Sequence, residues 1–157
     1  MKKKLVRRVS IIRSNTKIRT DIRIRVEAIL RDYPDLEVYI KNRKQELMIP
    51  HREIDDNVGG GKSSKISKPQ EQMMITIDAD KRLKALEREK AAVEKCFFES
   101  DTDTQIIIKE LYFKKYREYT VEGLALNHIV NCSVRTVKRL KSDFLLKLAH
   151  ELDIYEP

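Results

Sequence analysis

Cysteine is scarce in this chain of 157 residues, and its two cysteines, Cys96 and Cys132, stand far apart. Both occupy positions that suit an apolar core, so they form neither a disulfide framework nor a set of metal ligands. The three histidines, His51, His128 and His150, are too widely spaced to complete a metal site with them. The sequence therefore predicts that the protein binds no metal and needs no cofactor.

Long apolar runs are also missing. No stretch approaches the length of a membrane span. The N-terminus, MKKKLVRRVSII, has the charged start of a signal peptide, but Arg7, Arg8 and Arg13 interrupt its apolar residues and no small-residue cleavage site follows. We therefore expect a cytoplasmic protein that does not engage the membrane.

The residue groupings that catalysis requires are absent as well. An enzyme would need a nucleophile with a positioned base, a metal cage or paired carboxylates in a pocket. Asp55 and Asp56 fall in a Gly- and Ser-rich segment, while Asp101 and Asp103 suit the start of a helix. GGGKSS resembles part of a phosphate-binding P-loop, but Asp56 stands where that motif requires its first glycine. We expect no enzymatic activity.

Positive charge is what the chain has in excess. Lysine and arginine number 33 against 25 acidic residues, which gives a formal net charge of +8. Residues 1 to 25 alone hold ten basic residues and one acid, Asp21. Such a balance favours a polyanionic partner, because it speeds encounter and releases counterions on binding. Five basic residues are candidate phosphate contacts: Arg7, Arg8, Lys62, Lys65 and Lys68. For the three lysines, plain solvation is an equally good explanation.

Apolar residues recur at helical spacing through most of the chain, which predicts an all-α fold. Helices over 16–33 and 35–48 should form a helical hairpin joined by a tight Tyr-Pro-Asp turn, with a basic arm in front of it. Residues 49–69 contain too much Gly, Ser and Lys to bury a core, so we interpret them as a flexible linker. The first expected domain is therefore 1–48.

The second expected domain, 70–157, begins with a long central helix over 70–98. Its apolar spacing allows either packing within the chain or a short dimeric coiled coil, and packing within the chain is favoured. A further helix is predicted over 101–115, with four residues facing inward: Ile107, Ile108, Leu111 and Tyr112. A helix-turn-helix should follow at 120–149, with Thr120 as the cap of its first helix.

The helix-turn-helix prediction depends on the segment SVRTVKRLKSDFLLK, residues 133–147. Ser133 can cap a helix there by accepting a hydrogen bond from the amide of Arg135 or Thr136. Asn131 is a residue type that tolerates the left-handed backbone that such a turn needs. Counted from that turn, the five positions that two crossing helices bury are all apolar: Leu126, Val130, Cys132, Val137 and Leu140.

The same count leaves one set of side chains facing outward, and its composition suits phosphates and base edges. The set consists of Ser133, Val134, Arg135, Lys138, Arg139 and Ser142. A solvated basic face on an ordinary surface helix is the alternative, but it explains neither the cap nor the five apolar sites. Asn127 stands where a small residue is normally wanted and Ala125 lies two residues earlier, so the register of the first helix, 122–130, stays open by two residues.

Four segments together resemble a known family: DYPDLEVYIKNRKQEL, NVGGGKSSKISKPQEQM, DKRLKALE and CSVRTVKRLK. Over roughly residues 17 to 145 the chain is similar to the RinA/ArpU-like late transcriptional regulators of phages and prophages of Gram-positive bacteria. The resemblance implies a C-terminal unit like region four of bacterial sigma factors and activation of late genes for packaging and lysis. It also implies DNA-reading roles for five residues: Ser133, Arg135, Thr136, Lys138 and Arg139.

The predicted function is therefore that of a sequence-specific, promoter-binding activator in the bacterial host cell, associated with the nucleoid. Its expected partners are double-stranded DNA and, as a further candidate, bacterial RNA polymerase, and it should be a monomer or a homodimer. The alternative is a structural DNA-packaging adaptor similar to a small terminase subunit. An adaptor of that kind should form a closed ring, so the oligomeric state separates the two hypotheses.

Overall fold

The structure, a computed structural model, describes residues 18–49 and 69–154. Within these ranges the chain is helical and contains no strand, which confirms the all-α prediction. The α-helices are α1 (Thr20–Asp32), α2 (Leu36–Met48), α3 (Pro69–Ala79), α4 (Lys81–Phe98), α5 (Thr102–Ile108), α6 (Val121–Leu126) and α7 (Val134–Glu151). A 3₁₀ turn, Tyr33–Asp35, joins α1 to α2, and a π-helical turn, Lys109–Phe113, extends α5.

Helix α7 is the centre of the packing, because α1, α4, α5 and α6 all contact it. Its C-terminal half presents four buried side chains to them, Phe144, Leu145, Leu148 and Ala149. These belong to one continuous hydrophobic core that also includes buried residues of the four neighbouring helices. Burial of that apolar surface is what drives the helices together.

The connection between α1 and α2 differs from the predicted hairpin. Pro34 normally disfavours helical backbone at the residue before it. Tyr33 nevertheless keeps φ −51° and ψ −43°, and the backbone stays right-handed from Asp32 to Leu36. The chain therefore passes from α1 into α2 in right-handed helical backbone. Helix α1 packs on α7 whereas α2 packs on α3 and α4, so the hairpin prediction was wrong.

The long central helix predicted over 70–98 is two helices, which Asp80 separates. This residue has an extended backbone, and its Oδ1 accepts a hydrogen bond from the Leu83 amide at 2.6 Å, capping α4. Arg43 of α2 binds the same carboxylate, with 2.7 Å between Nη2 and Oδ2 and 3.3 Å between Nε and Oδ1. The hydrogen bond from Arg43 lowers the pKa of Asp80. The Asp80 carboxylate therefore caps α4 and pairs with α2. These two interactions hold Asp80 out of the helix, so α3 ends at Ala79.

Other local predictions for this region are confirmed. Asp101 caps α5, since its carboxylate accepts a hydrogen bond from the Thr104 amide at 3.2 Å. The four residues predicted to face inward are all buried: Ile107, Ile108, Leu111 and Tyr112. Residues 50–68, most of the predicted linker, lie outside the described ranges, as does the basic arm at 1–17.

Candidate nucleic-acid interface

Helix α6 begins at the predicted cap and ends earlier than expected. The Thr120 hydroxyl accepts a hydrogen bond from the Gly123 amide at 3.0 Å. The helix then ends at Leu126, whereas the sequence predicted a helix over 122–130. Asn127 closes its last turn by donating a side-chain hydrogen bond to the Gly123 carbonyl at 2.8 Å. The loop between α6 and α7 is therefore longer than expected, covering residues 127–133.

That loop turns at His128, not at Asn131. His128 has φ 53°, in the left-handed region, and Asn131 does not. The Ile129 amide donates to the Leu124 carbonyl at 3.0 Å, and the His128 amide donates to the Ala125 carbonyl at 3.2 Å. This pair of hydrogen bonds is the Schellman motif, which ends a helix on a left-handed residue. The prediction that placed the turn at Asn131 was wrong by three residues.

The shift of the turn also changes which leucine of α6 enters the core. Leu126, predicted to be buried, is 72% exposed, and Leu124 is fully buried in its place. The two leucines lie two residues apart, so on a helix they point to different faces. The other four predicted core positions face inward: Val130 and Val137 are buried, and Cys132 and Leu140 are partly buried against the core.

His128→Gly is expected to raise the free energy of unfolding by roughly 0.5–1 kcal/mol, because glycine adopts a left-handed backbone without the penalty that a Cβ atom incurs. His128→Val should lower it by more than that, since a β-branched residue is poorly suited to this conformation. Urea denaturation followed by circular dichroism measures both changes. A glycine variant less stable than the parent would contradict the assigned turn.

Helix α7 starts as the sequence predicted. The Ser133 hydroxyl accepts a hydrogen bond from the Thr136 amide at 3.2 Å and lies 3.0 Å from the Thr136 hydroxyl. This cap fixes the first turn of the helix, where no intrahelical partner exists for the amide. Arg135, one of the predicted DNA-reading residues, lies in this first turn, and its side chain is exposed.

The predicted DNA-reading residues divide into two groups by exposure. Five are exposed: Ser133, Arg135, Lys138, Arg139 and Ser142. The other two, Val134 and Thr136, are half-buried. Within residues 18–49 and 69–154, neither Arg135 nor Arg139 forms a hydrogen bond or an ion pair, so both guanidinium groups are available to a ligand. The structure therefore brings the predicted basic face together on the first three turns of α7.

Lys138 has a partner that the sequence did not reveal. Its Nζ lies 2.8 Å from Glu122 Oε1 in the first turn of α6, and both side chains are more than half exposed. The hydrogen bond from Lys138 lowers the pKa of Glu122. The two residues are distant in sequence, and only the crossing of α6 and α7 brings them together. A phosphate group that binds Lys138 has to compete with this carboxylate.

Ser142 is likewise engaged within the helix. Its hydroxyl donates a hydrogen bond to the Lys138 carbonyl at 2.9 Å, one turn earlier. The oxygen keeps its capacity to accept, so the side chain is suited to a donor on a ligand more than to a phosphate oxygen.

Five candidate phosphate contacts lie outside the described residues: Arg7, Arg8, Lys62, Lys65 and Lys68. In the part of the chain that the structure describes, no three His, Cys, Asp or Glu side chains are grouped closely enough to hold a metal ion. Over the same part, no helix has both the length and the apolar character that crossing a bilayer requires.

Comparison with known proteins gives two matches. A family model described as "Protein of unknown function (DUF722)" matches residues 22–150, most of the chain. A protein of Staphylococcus phage phi11 named "Transcriptional activator rinA" is 30% identical over 129 residues, which cover 82% of this chain and 88% of that protein. No solved structure matches the chain. The name of the phage relative describes a regulator and not an enzyme.

Proposed function

From the premise that this chain belongs to the RinA-like family of phage regulators, we propose that it is a sequence-specific DNA-binding activator of phage or prophage late genes. It acts in the host cytoplasm on promoter DNA together with host RNA polymerase, as a monomer or a homodimer. The name of the phage relative supports the activator role, and the finer statements depend on the residues of this chain.

One observation carries the proposal: the exposed basic face at the start of α7. Arg135 and Arg139 project from a helix whose other end is buried in the core, and a capped turn connects that helix to α6. Two crossed helices with the second one exposed and basic are the arrangement with which helix-turn-helix proteins enter the major groove. Arginine at such a position can pair with guanine through two hydrogen bonds.

Within this proposal, Ser133 and Ser142 add hydrogen-bonding groups, while Lys138 contacts phosphate once it leaves Glu122. Val134 and Thr136 supply short side chains at the edge of the basic face. Val134 is suited to an apolar contact with a thymine methyl group. The basic residues outside the described ranges contribute sequence-independent phosphate contacts.

We expect the protein to bind duplex DNA from the late promoter region of its phage with an affinity that falls steeply with salt. A complex that neutralises several phosphates should lose on the order of a hundredfold or more in affinity between about 50 and 200 mM salt. Fluorescence anisotropy with the labelled duplex at a series of salt concentrations measures this loss. Binding that does not depend on salt, or no binding at the lowest concentration, would count against the proposal.

A further inference from the structure

A second basic surface lies at the opposite end of α7 from Arg135. It surrounds a cleft of about 330 Å³ between α1, α4 and the residues that follow α7. Four cations line this cleft, which we call the distal cleft: Arg25, Lys81, Lys84 and Arg88. Three apolar residues line it with them: Ala85, Leu152 and Ile154.

The charges of the distal cleft are only partly balanced within the protein. Arg88 pairs with Asp153 and also donates to the Leu152 carbonyl at 3.2 Å. Glu89 lines the cleft as well, and burial raises its pKa. The charge of Arg25 acts on the nearby Glu89 carboxyl and opposes that rise in pKa, whereas no salt bridge within the described residues engages Lys81 or Lys84, and both lysines are exposed. The cleft therefore attracts a ligand with negative charge.

The position and the lining of the cleft distinguish it from the DNA-reading face. Helix α7 has 18 residues and is therefore about 27 Å long, which places the distal cleft and Arg135 near its two ends. A phosphodiester backbone also lacks the apolar side groups that would pack against the apolar lining of the cleft. An acidic peptide that carries apolar side chains matches both the charged and the apolar lining of the cleft. Its carboxylates pair with the cations, and one of its apolar side chains packs on Ala85 and Ile154.

We propose that the distal cleft binds an acidic, partly apolar segment of a protein partner. This inference rests on the proposed function, because an activator needs a protein contact besides its DNA contact. The cleft and the DNA-reading face lie at the two ends of one helix, so DNA and the protein partner bind without competing for the same surface.

Three variants test the proposal. Lys81→Glu/Lys84→Glu reverses the two unpaired charges. Ala85→Lys adds a positive charge but obstructs the apolar lining, and lysine is well tolerated in an exposed helix. The matched control, Lys41→Glu/Lys109→Glu, makes the same change in net charge at two exposed lysines away from the cleft. Circular dichroism establishes that each variant is folded.

The probe is a short fluorescein-labelled peptide in which glutamate alternates with leucine, compared with a peptide that has serine in place of each leucine. We expect the leucine peptide to bind the parent protein and the serine peptide to bind much more weakly. Binding of the leucine peptide should fall by on the order of tenfold or more in Lys81→Glu/Lys84→Glu. It should also fall in Ala85→Lys and stay near the parent value in the control.

Several results would overturn the proposal. Tighter binding to Ala85→Lys, or an equal loss in the control, would mean that only net charge attracts the peptide. Displacement of the peptide by a random DNA duplex would make the cleft a nucleic-acid site. A molecular mass that rises with concentration, and does not rise in Lys81→Glu/Lys84→Glu, would make the cleft an interface with a second copy of this chain.

Promoter binding measured in parallel separates this proposal from the proposed function. A protein that fails to bind promoter DNA but binds the peptide as described refutes only the proposed function.

Discussion

Val137→Asp is expected to unfold the core around α7. Val137 is fully buried where α6 and α7 cross, and the aspartate would place a charge there without a partner. An uncompensated buried charge costs about 3–5 kcal/mol, a large part of the stability of an ordinary domain. Thermal melting followed by circular dichroism should show loss of the cooperative transition or a large fall in its midpoint.

Ser142→Asp is the matched control for this change, because it introduces the same charge on the same helix at an exposed position. It should alter stability by no more than about 0.5 kcal/mol. Leu140→Asp should fall between the two, since Leu140 is only partly buried, and Cys132→Ser should have a small effect. If Val137→Asp melts like the parent, the assigned core face of α7 is wrong.

Arg135→Ala is expected to weaken binding to the specific site much more than binding to unrelated DNA. A bidentate pair between arginine and guanine contributes about 1–3 kcal/mol of discrimination, or roughly 5- to 150-fold in affinity. Arg135→Lys keeps the charge but not the planar pair of donors, so it should lose specificity while keeping most of the affinity for random DNA. Competition titrations with specific and random duplexes measure both quantities.

A contrasting result is expected from Lys62→Ala/Lys65→Ala/Lys68→Ala. If these lysines contact phosphate, the triple change weakens binding to both duplexes by similar factors and flattens the salt dependence. If Arg135→Ala instead weakens binding to the specific and the random duplex equally, the protein is a non-specific DNA binder. The structural packaging adaptor then becomes the favoured function in place of the activator.

Signals that act within one helical turn were predictable from the sequence. Ser133, Asp101 and Thr120 carry hydroxyl or carboxylate groups directly before a helix, and each accepts a hydrogen bond from an amide of the first turn. The apolar spacing of α5 and its π-helical turn likewise identified their buried face. These features depend on residues close in sequence, which is why they can be recognised without the fold.

The turn between α6 and α7 was not predictable by the same reasoning. Asn131 and His128 are both residue types found at left-handed positions. Leu124 and Leu126 are both apolar, so either can be assigned to the core. Only the packing of α6 on α7 decides between them, and it buries Leu124.

Pairs that are distant in sequence also escaped prediction. Asp80 lies among strong helix formers, and the break it makes is held by Arg43, 37 residues earlier. The proline at position 34 suggested a reversal of the chain, but α2 packs on α3 and α4. Each of these features follows from tertiary contacts that override local preference.

The burial of the C-terminal half of α7 has a consequence for the cost of binding DNA. Because Phe144 and Leu148 hold that half in the core, the backbone that carries Arg135 and Arg139 is ordered before any duplex arrives. Association then restricts mainly the rotamers of the arginine side chains, at about 0.5–1.5 kcal/mol for each one immobilised. The part of the heat-capacity change that α7 contributes should accordingly reflect its contact surface, without the large negative contribution that accompanies coupled folding and binding.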